Sequence, residues 1–313
     1  MDYVTLGRTG LRVSVMGLGG GGHSRLGHRT GASPAESAEI VRRALDLGVT
    51  FIDTAEAYGT EETVGLGIRG RPRDELVIST KKSITSDDRL ITAQELADGL
   101  DASLTRLGTD YVDIYHLHGV PPEHYDHCVN ELVPAMLDLR SHGKLRFLGI
   151  TEQFGSDTGH EMLSRAVREE PWDVVMVGFN ILNQSARDRV LAETRRRDIG
   201  VLCMFAVRAA FSRPEKLRQT IAELVDAGLV DREALDPADP LGFLMQDGTA
   251  ASIPEAAYRF CRAEPGIHVV LSGTGNPDHL EENVASLLKP PLPDEVRDRL
   301  TQLFARVDTV SGQ

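Results

Sequence analysis

The amino-acid sequence predicts an α/β protein built as a single closed (β/α)8 TIM barrel, with a β-hairpin ahead of it and an elaborated loop and helix segment before the last strand. Short apolar runs alternate with helical patterns along the whole chain, and eight such strands can be counted. Each run is nearly uniformly apolar, as expected of parallel strands covered on both faces. An alternation of eight units favours closure into a barrel over an open doubly wound sheet. No shift in composition marks a domain boundary, so residues 1–313 read as one domain.

The hairpin comes first. Tyr3, Val4 and Leu6 lead through Gly7-Arg8-Thr9-Gly10 to Leu11 and Val13, two short apolar runs around a glycine-containing turn. Residues 15–18 form the first barrel strand and run into Gly19-Gly20-Gly21-Gly22. Over 34–47 the apolar residues Ile40, Val41, Ala44 and Leu45 fall at helical spacing, and Gly48 supplies the stop. The unit then repeats, with strands predicted over 50–53, 76–80, 110–118, 145–151, 174–179, 201–205 and 268–272. The intervening helices are predicted over 61–68, 92–107, 129–141, 159–168 and 185–197, with a last one over 278–288. Residues 213–260 form the long polar and helical insertion, in which Asp236-Pro237-Ala238-Asp239-Pro240 and Asp247-Gly248 mark loops.

Hydrophobic residues make up 41% of the chain and charged residues 26%, which removes the disordered and fibrous classes. A net charge of −13 without a dense Lys/Arg stripe argues against nucleic acid or an anionic membrane as partner. Small-molecule chemistry is the remaining default, and nothing in the charge pattern selects an oligomeric state. No apolar run approaches the roughly 20 residues that span a bilayer, and residues 1–10 carry no apolar signal core. Cys128, Cys203 and Cys261 are too few and too scattered for a disulfide framework. They read as small buried hydrophobes, which fits a cytoplasmic protein.

In such a barrel, reactive side chains collect where strands end and loops begin. Four ionisable groups do so here: Asp53 and Tyr58 after the second strand, Lys81 after the third and His118 after the fourth. Lys81 follows Val77-Ile78-Ser79-Thr80, which reads as buried strand, and a buried ammonium needs a partner. Asp53 is the counter-charge to expect. Held there, Lys81 favours phenolate on Tyr58 while His118 donates to or orients a carbonyl oxygen, a set suited to carbonyl reduction. No side chain donates hydride, so a nicotinamide or flavin is implied. Gly17 to Gly22 lacks phosphate-loop spacing and reads as a flexible rim loop. His116, His118, His124, His127 and Cys128 could suggest a metal site, but no matching His and Asp ligands follow other strands, so no metal is expected.

Four stretches then carry a resemblance: Asp53-Thr54-Ala55-Glu56-Ala57-Tyr58-Gly59, Ser79-Thr80-Lys81, Tyr111-Val112-Asp113-Ile114-Tyr115-His116-Leu117-His118, and Gly143-Lys144-Leu145-Arg146-Phe147-Leu148-Gly149-Ile150-Thr151. In combination they resemble the aldo-keto reductases, over nearly the whole chain. The resemblance implies a (β/α)8 barrel that binds NADPH or NADH in extended form without a Rossmann domain. It implies reduction of an aldehyde or ketone, or oxidation of a sugar or alcohol in the reverse sense, with Asp53, Tyr58, Lys81 and His118 as catalytic tetrad and Tyr58 as general acid.

For the coenzyme, the resemblance implies Thr151 and Glu152 beside the carboxamide, where the family usually has Ser-Asn, and Met176 in place of a usual Gln. Met204 or Phe205 would wall the nicotinamide. Phe205, Ala206 and Arg208 fall toward the pyrophosphate, and Gly273, Thr274, Asn276, Glu282 and Asn283 toward the adenosine. NADPH is the family expectation. Cations for a 2′-phosphate are sparse, with Arg208 the only strong one nearby, so NADH is the alternative. Substrate choice is expected from the rim loops 19–33, 119–127 and 213–251. The altered carboxamide positions also admit a coenzyme-binding regulatory subunit with little turnover, and the histidines a metal-dependent hydrolase.

Overall fold

Eight parallel strands close on themselves in the computed structural model, which describes residues 1–313. Two short strands precede them, β1 (Tyr3–Thr5) and β2 (Arg12–Ser14), antiparallel with Val4 opposite Val13. The barrel then begins with β3 (Met16–Gly19), β4 (Phe51–Asp53) and β5 (Val77–Ser83). A small ribbon of β6 (Thr85–Ser86) and β7 (Arg89–Leu90) interrupts it. It resumes with β8 (Val112–Val120), β9 (Leu145–Glu152), β10 (Val174–Gly178), β11 (Gly200–Met204) and β12 (Val269–Ser272), which returns to β3. The eight expected strands are all present and in ring order.

Side chains alternate across each strand, so every second residue enters the barrel. Phe51, Val77, Ile114, Val174, Leu202 and Val269 pack there, with Met176, Met204 and Leu271 nearer the carboxyl ends. Leu6, Leu11 and Val13 of the hairpin join this cluster and plug the opposite end. The plug fits because Gly7, at φ +47°, runs along the turn before β11: Arg8 N donates to Asp198 O at 2.5 Å. A second, larger core lies between the outward strand residues and the helices.

The helices follow the expected pattern with local changes. Ser33 with Glu36 and Thr92 with Glu95 form reciprocal capping boxes on Pro34–Asp46 and Ala93–Leu107. The expected 129–141 and 185–197 helices open in wider turns at Cys128–Leu132 and Arg187–Leu191. The 213–260 segment resolves into helices Pro214–Asp226 and Ile253–Arg262 with short turns between. A further helix, Asp294–Leu303, follows the last expected one; its Leu300 is buried and receives Gln184 Nε2 on its carbonyl at 3.0 Å. No helix is long and apolar enough to cross a membrane.

Replacing Gly7 tests the plug. A Cβ at this position would stand 2.5 Å from Asp198 O and 2.6 Å from Gly200 N, on a backbone that L side chains rarely adopt. Strain of this kind costs about 1–3 kcal/mol, so Gly7→Ala should lower the thermal midpoint by several degrees in a melt followed by circular dichroism, whereas Gly10→Ala, with open space around it, should cost less.

Candidate active site

The alternation that sends Phe51 and Val77 into the barrel also sends in Asp53, Ser79 and Lys81, at the carboxyl ends of β4 and β5. Register sets Asp53 beside Ser79. Ser79 Oγ donates to Asp53 Oδ1 at 2.9 Å, and Lys81 Nζ donates to Asp53 Oδ2 at 2.6 Å and to Thr54 O at 2.7 Å. Lys81 is fully buried and Asp53 nearly so. Two unit charges this close attract by about 6 kcal/mol at an effective dielectric of about 20, while burying them costs several kcal/mol per ion. The Ser79 and Thr54 hydrogen bonds satisfy the remaining polar atoms of the pair. Burial opposes the Lys81 ammonium, but Asp53 and Tyr58 outweigh it and raise the lysine above its ordinary value.

Tyr58 ends a tight turn, Glu56–Tyr58, that Gly59 closes with φ +68°. Its ring lies 4.8 Å from Lys81 Nζ, and its hydroxyl sits 3.2 Å from His118 Nε2, with the two rings edge to face. His118 projects from β8 where pairing with β9 slips between Leu117 and Val120. Burial, reinforced by Lys81, holds the His118 imidazole down to about 3, so it is neutral at physiological pH and has one ring N–H to offer. The four expected catalytic residues therefore meet at one point. Lys82 points the other way and pairs with Glu56 at 2.6 Å.

A cleft of about 1360 Å³ opens from Tyr58 and His118 along the ends of β9 to β12. Thr151, Met176, Met204, Phe205, Arg208, Gly273, Thr274, Glu282 and Asn283 all line it. Thr151 Oγ1 accepts from Gly119 N at 2.7 Å, leaving its own proton free. Asn283 Nδ2 donates to Ser272 Oγ at 3.0 Å. Three expectations change. Glu152 lines the cleft, but its carboxylate is held in a fully buried pair with His160 Nδ1 at 2.9 Å and accepts Gly178 N at 2.7 Å. Ala206 is buried in the outer core. The Asn276 side chain caps helix Pro277–Leu288, accepting from Asp278 N and His279 N.

Other residues of the cleft carried no sequence signal. Phe154 fills the space over Gly178, where a Cβ would come within 2.2 Å of its ring, and stacks on His160 with ring centroids 5.2 Å apart. Its edge meets Phe205, which stands at φ +67° with the Arg208 guanidinium 4.0 Å from its ring. Burial lowers Arg208 below its ordinary value, opposed by the nearby Tyr58 and Tyr258, and no carboxylate pairs with it. Burial pushes Tyr258 up to about 12, and its hydroxyl lies 2.9 Å from Ser272 Oγ. The histidine cluster dissolves: His127 Nε2 meets Ile91 O at 2.9 Å, Cys128 is buried, and no three His, Cys, Asp or Glu residues converge as metal ligands.

A family model for the aldo/keto reductases matches residues 15–305. The chain belongs to the aldo/keto reductase family. L-Galactose dehydrogenase of Arabidopsis thaliana is 38% identical over 157 residues, 48% of this chain and 48% of that protein, so the match spans about half the length of each. An aldo-keto reductase of Bacillus subtilis (strain 168) is 27% identical over 300 residues, covering 90% of this chain and 87% of the relative. In structure, the holo form of an aldo-keto reductase from Bacillus halodurans matches with a TM-score of 0.76 over 99% of both chains at 22% identity, a likeness of fold. Aldo-keto reductases are nicotinamide-dependent oxidoreductases, and the cleft suits such a coenzyme. Arg208 is a half-buried cation without a carboxylate, and Met176, Met204 and Leu271 form an apolar wall beside Tyr58.

Two stability measurements follow. Lys81→Met leaves the Asp53 carboxylate buried and unpaired, which should cost about 3–5 kcal/mol in urea unfolding; adding Asp53→Leu should return part of the loss. For His118 the folded protein stays neutral to about pH 3, whereas the unfolded chain binds a proton near the ordinary imidazole value of 6.5. The unfolded state then holds more protons between these values, so stability falls as pH drops through this window. His118→Asn should flatten the pH dependence of the urea midpoint between pH 6.5 and 4.5.

Proposed function

We propose that the chain interconverts an aldehyde or ketone and the matching alcohol with a nicotinamide dinucleotide, that Tyr58 moves the proton, and that NADH is the preferred coenzyme. The observation that carries this reading is the Tyr58 hydroxyl, 3.2 Å from a neutral histidine, with the Lys81–Asp53 pair beneath its ring.

When bound, the reduced nicotinamide supplies hydride to the carbonyl carbon. Tyr58 gives its phenolic proton to the carbonyl oxygen, and in the opposite sense accepts one from the alcohol. His118 directs its free N–H toward the same oxygen, and its neutrality matters, because a second cation beside Lys81 would be costly in this buried corner. Lys81 balances the charge left on Tyr58, and Asp53 with Ser79 keeps the ammonium in place. The likeness to L-galactose dehydrogenase supports the alcohol-oxidising sense alongside reduction.

Thr151 offers its free hydroxyl proton to the carboxamide, while Met176, Met204 and Leu271 exclude water beside the ring. Arg208 is the cation for the pyrophosphate. Toward the adenosine His279 lines the cleft with Glu282, Asn283 and Ser286, and Arg208 and Arg213 are the arginines of its wall. A carboxylate there suits a ribose 2′-hydroxyl and repels a 2′-phosphate, which is the ground for NADH over the family's more usual NADPH.

Fluorescence titration should give at least tenfold tighter binding of NADH than of NADPH, and Glu282→Arg should narrow that gap. Tyr58→Phe should keep coenzyme binding and lower carbonyl turnover by about 10²–10⁴-fold, the range expected for loss of a general acid. Equal turnover by the phenylalanine variant would remove Tyr58 from the proton-transfer role.

A further inference from the structure

Tyr58 is carried by a segment that leaves the sheet. Thr54 N donates to Ser79 O at 2.8 Å, and helix Glu61–Ile68 begins only after the tight turn Glu56–Tyr58. Between these points the backbone bonds of residues 55–59 stay within the turn, Tyr58 N donating to Ala55 O at 3.0 Å and Gly59 N to Glu56 O at 3.1 Å. Side chains therefore tie the turn to the barrel. Four consecutive residues of β5 each donate to a carboxylate of this segment. Ser79 and Lys81, facing inward, hold Asp53; Thr80 and Lys82, facing outward, hold Glu61 at 2.5 Å and Glu56 at 2.6 Å. Glu61 is buried and also accepts from Arg106 Nε at 2.6 Å. Tyr58 thus lies between two outward anchors, Glu56 before it and Glu61 after it. From the rim loop, Arg25 Nη1 donates to Tyr58 O at 3.1 Å, and Gly21 passes so close to the phenol that a Cβ would stand 2.8 Å from its ring.

Lys82 has a place built for it. Its stem crosses helix Ala93–Leu107 at Gly99, where a Cβ would stand 2.8 Å from Lys82 Cδ and 3.0 Å from Cε. The Lys82 side chain is 18% exposed and that of Glu56 33%. An ion pair on open surface holds little in place. This one is partly withdrawn from water, and it joins β5 to a turn whose backbone makes no bond to that strand.

We propose that Lys82 and Glu56 are positioning residues for proton transfer: their ion pair fixes the turn against β5, so that the Tyr58 hydroxyl stays 3.2 Å from His118 Nε2 and its ring stays beside Lys81 Nζ. The proposal rests on the reading of Tyr58 as proton carrier. Neither residue lines the cleft, so the pair acts through the phenol and not on coenzyme or substrate. Misplacing a reacting group by about 1 Å costs about 10²-fold in rate, while loss of this pair leaves the apolar core untouched. Its removal should show in kcat and hardly in KM or in stability.

The test uses the full chain with NADH and with NADPH and two aldehydes, glyceraldehyde and 4-nitrobenzaldehyde. Lys82→Met and Glu56→Gln should each lower kcat by about 10- to 10²-fold. The coenzyme Kd from fluorescence titration and the KM for aldehyde should stay close to wild type, and the thermal midpoint should fall by no more than a few degrees. The two substitutions combined should cost no more than either alone, as expected of one interacting pair, and Lys82→Arg, which retains the cation, should keep most of the wild-type kcat. The deciding variant adds Lys82→Met to Tyr58→Phe: there the further loss should be less than about twofold, because the group that the pair positions is gone. Single variants with wild-type kcat would overturn the proposal, as would a full further loss on the Tyr58→Phe background. Either result leaves Tyr58 in place as proton carrier. A wild type that binds neither coenzyme or turns over neither aldehyde, or a Tyr58→Phe variant as active as wild type, would bring down the underlying reading and this proposal with it.

Discussion

A lysine ammonium buried inside a barrel is the constraint around which the rest of this site is arranged. Lys81 is fully buried, so its charge persists only because Asp53 lies at 2.6 Å and because Ser79 and Thr54 satisfy the atoms that the ion pair leaves over. The pair in turn bears on the state of its neighbours. Burial foremost, with the Lys81 charge adding to it, holds His118 to about 3 and His116 well below its ordinary value. A neutral His118 can then share a hydrogen bond with the Tyr58 hydroxyl without competing with the lysine. Tyr58, whose hydroxyl meets this neutral histidine, lines the cleft.

The same parity rule that made this centre legible in the sequence explains where legibility stopped. Asp53 and Lys81 could be read because each ends a short apolar strand, and a charge at such a place is informative. Ser79 lies two residues before Lys81 and therefore on the same face, so its bond to Asp53 was available to the same argument. The β6–β7 ribbon was less visible: it depends on Asp87 and Asp88 adopting φ +48° and +59°, a primed hairpin turn more often signalled by glycine. Helix Asp294–Leu303 was missed because its burial rests on few residues, Leu300 foremost. Tyr258 was hidden for another reason. Its helix belongs to a long insertion, and only the closed fold brings it against Ser272 on β12.

Residue-by-residue resemblance was least informative at the coenzyme. Glu152 stands where the family usually has an amide, and by charge alone it would disfavour a carboxamide oxygen. The structure removes the conflict by committing the carboxylate to His160 and Gly178 N. Burial raises the Glu152 carboxyl against the pull of His160. From this pair a chain of ring contacts, stacked between His160 and Phe154 and edge-to-face between Phe154 and Phe205, runs to the Arg208 guanidinium. Gly178 is what makes room for Phe154 in that chain. The substitution at 152 and the glycine at 178 therefore belong to one packing solution, which a position-by-position comparison treats as unrelated differences.

The barrel divides its work by distance from the hairpin plug. Its lower layers are apolar and fixed by volume, as Leu6, Leu11 and Val13 against Phe51 and Val77 illustrate. The middle layer holds one compensated charge pair. Only above it do side chains face water, and there the four loops around Tyr58 present carboxylate, amide, hydroxyl and imidazole groups while Ile84 and Phe154 stay withdrawn. Packing does not require this rim to be polar, since the core is already complete beneath it. Met176, Met204 and Leu271 are apolar where the coenzyme is proposed to lie, whereas the rim above them carries polar side chains.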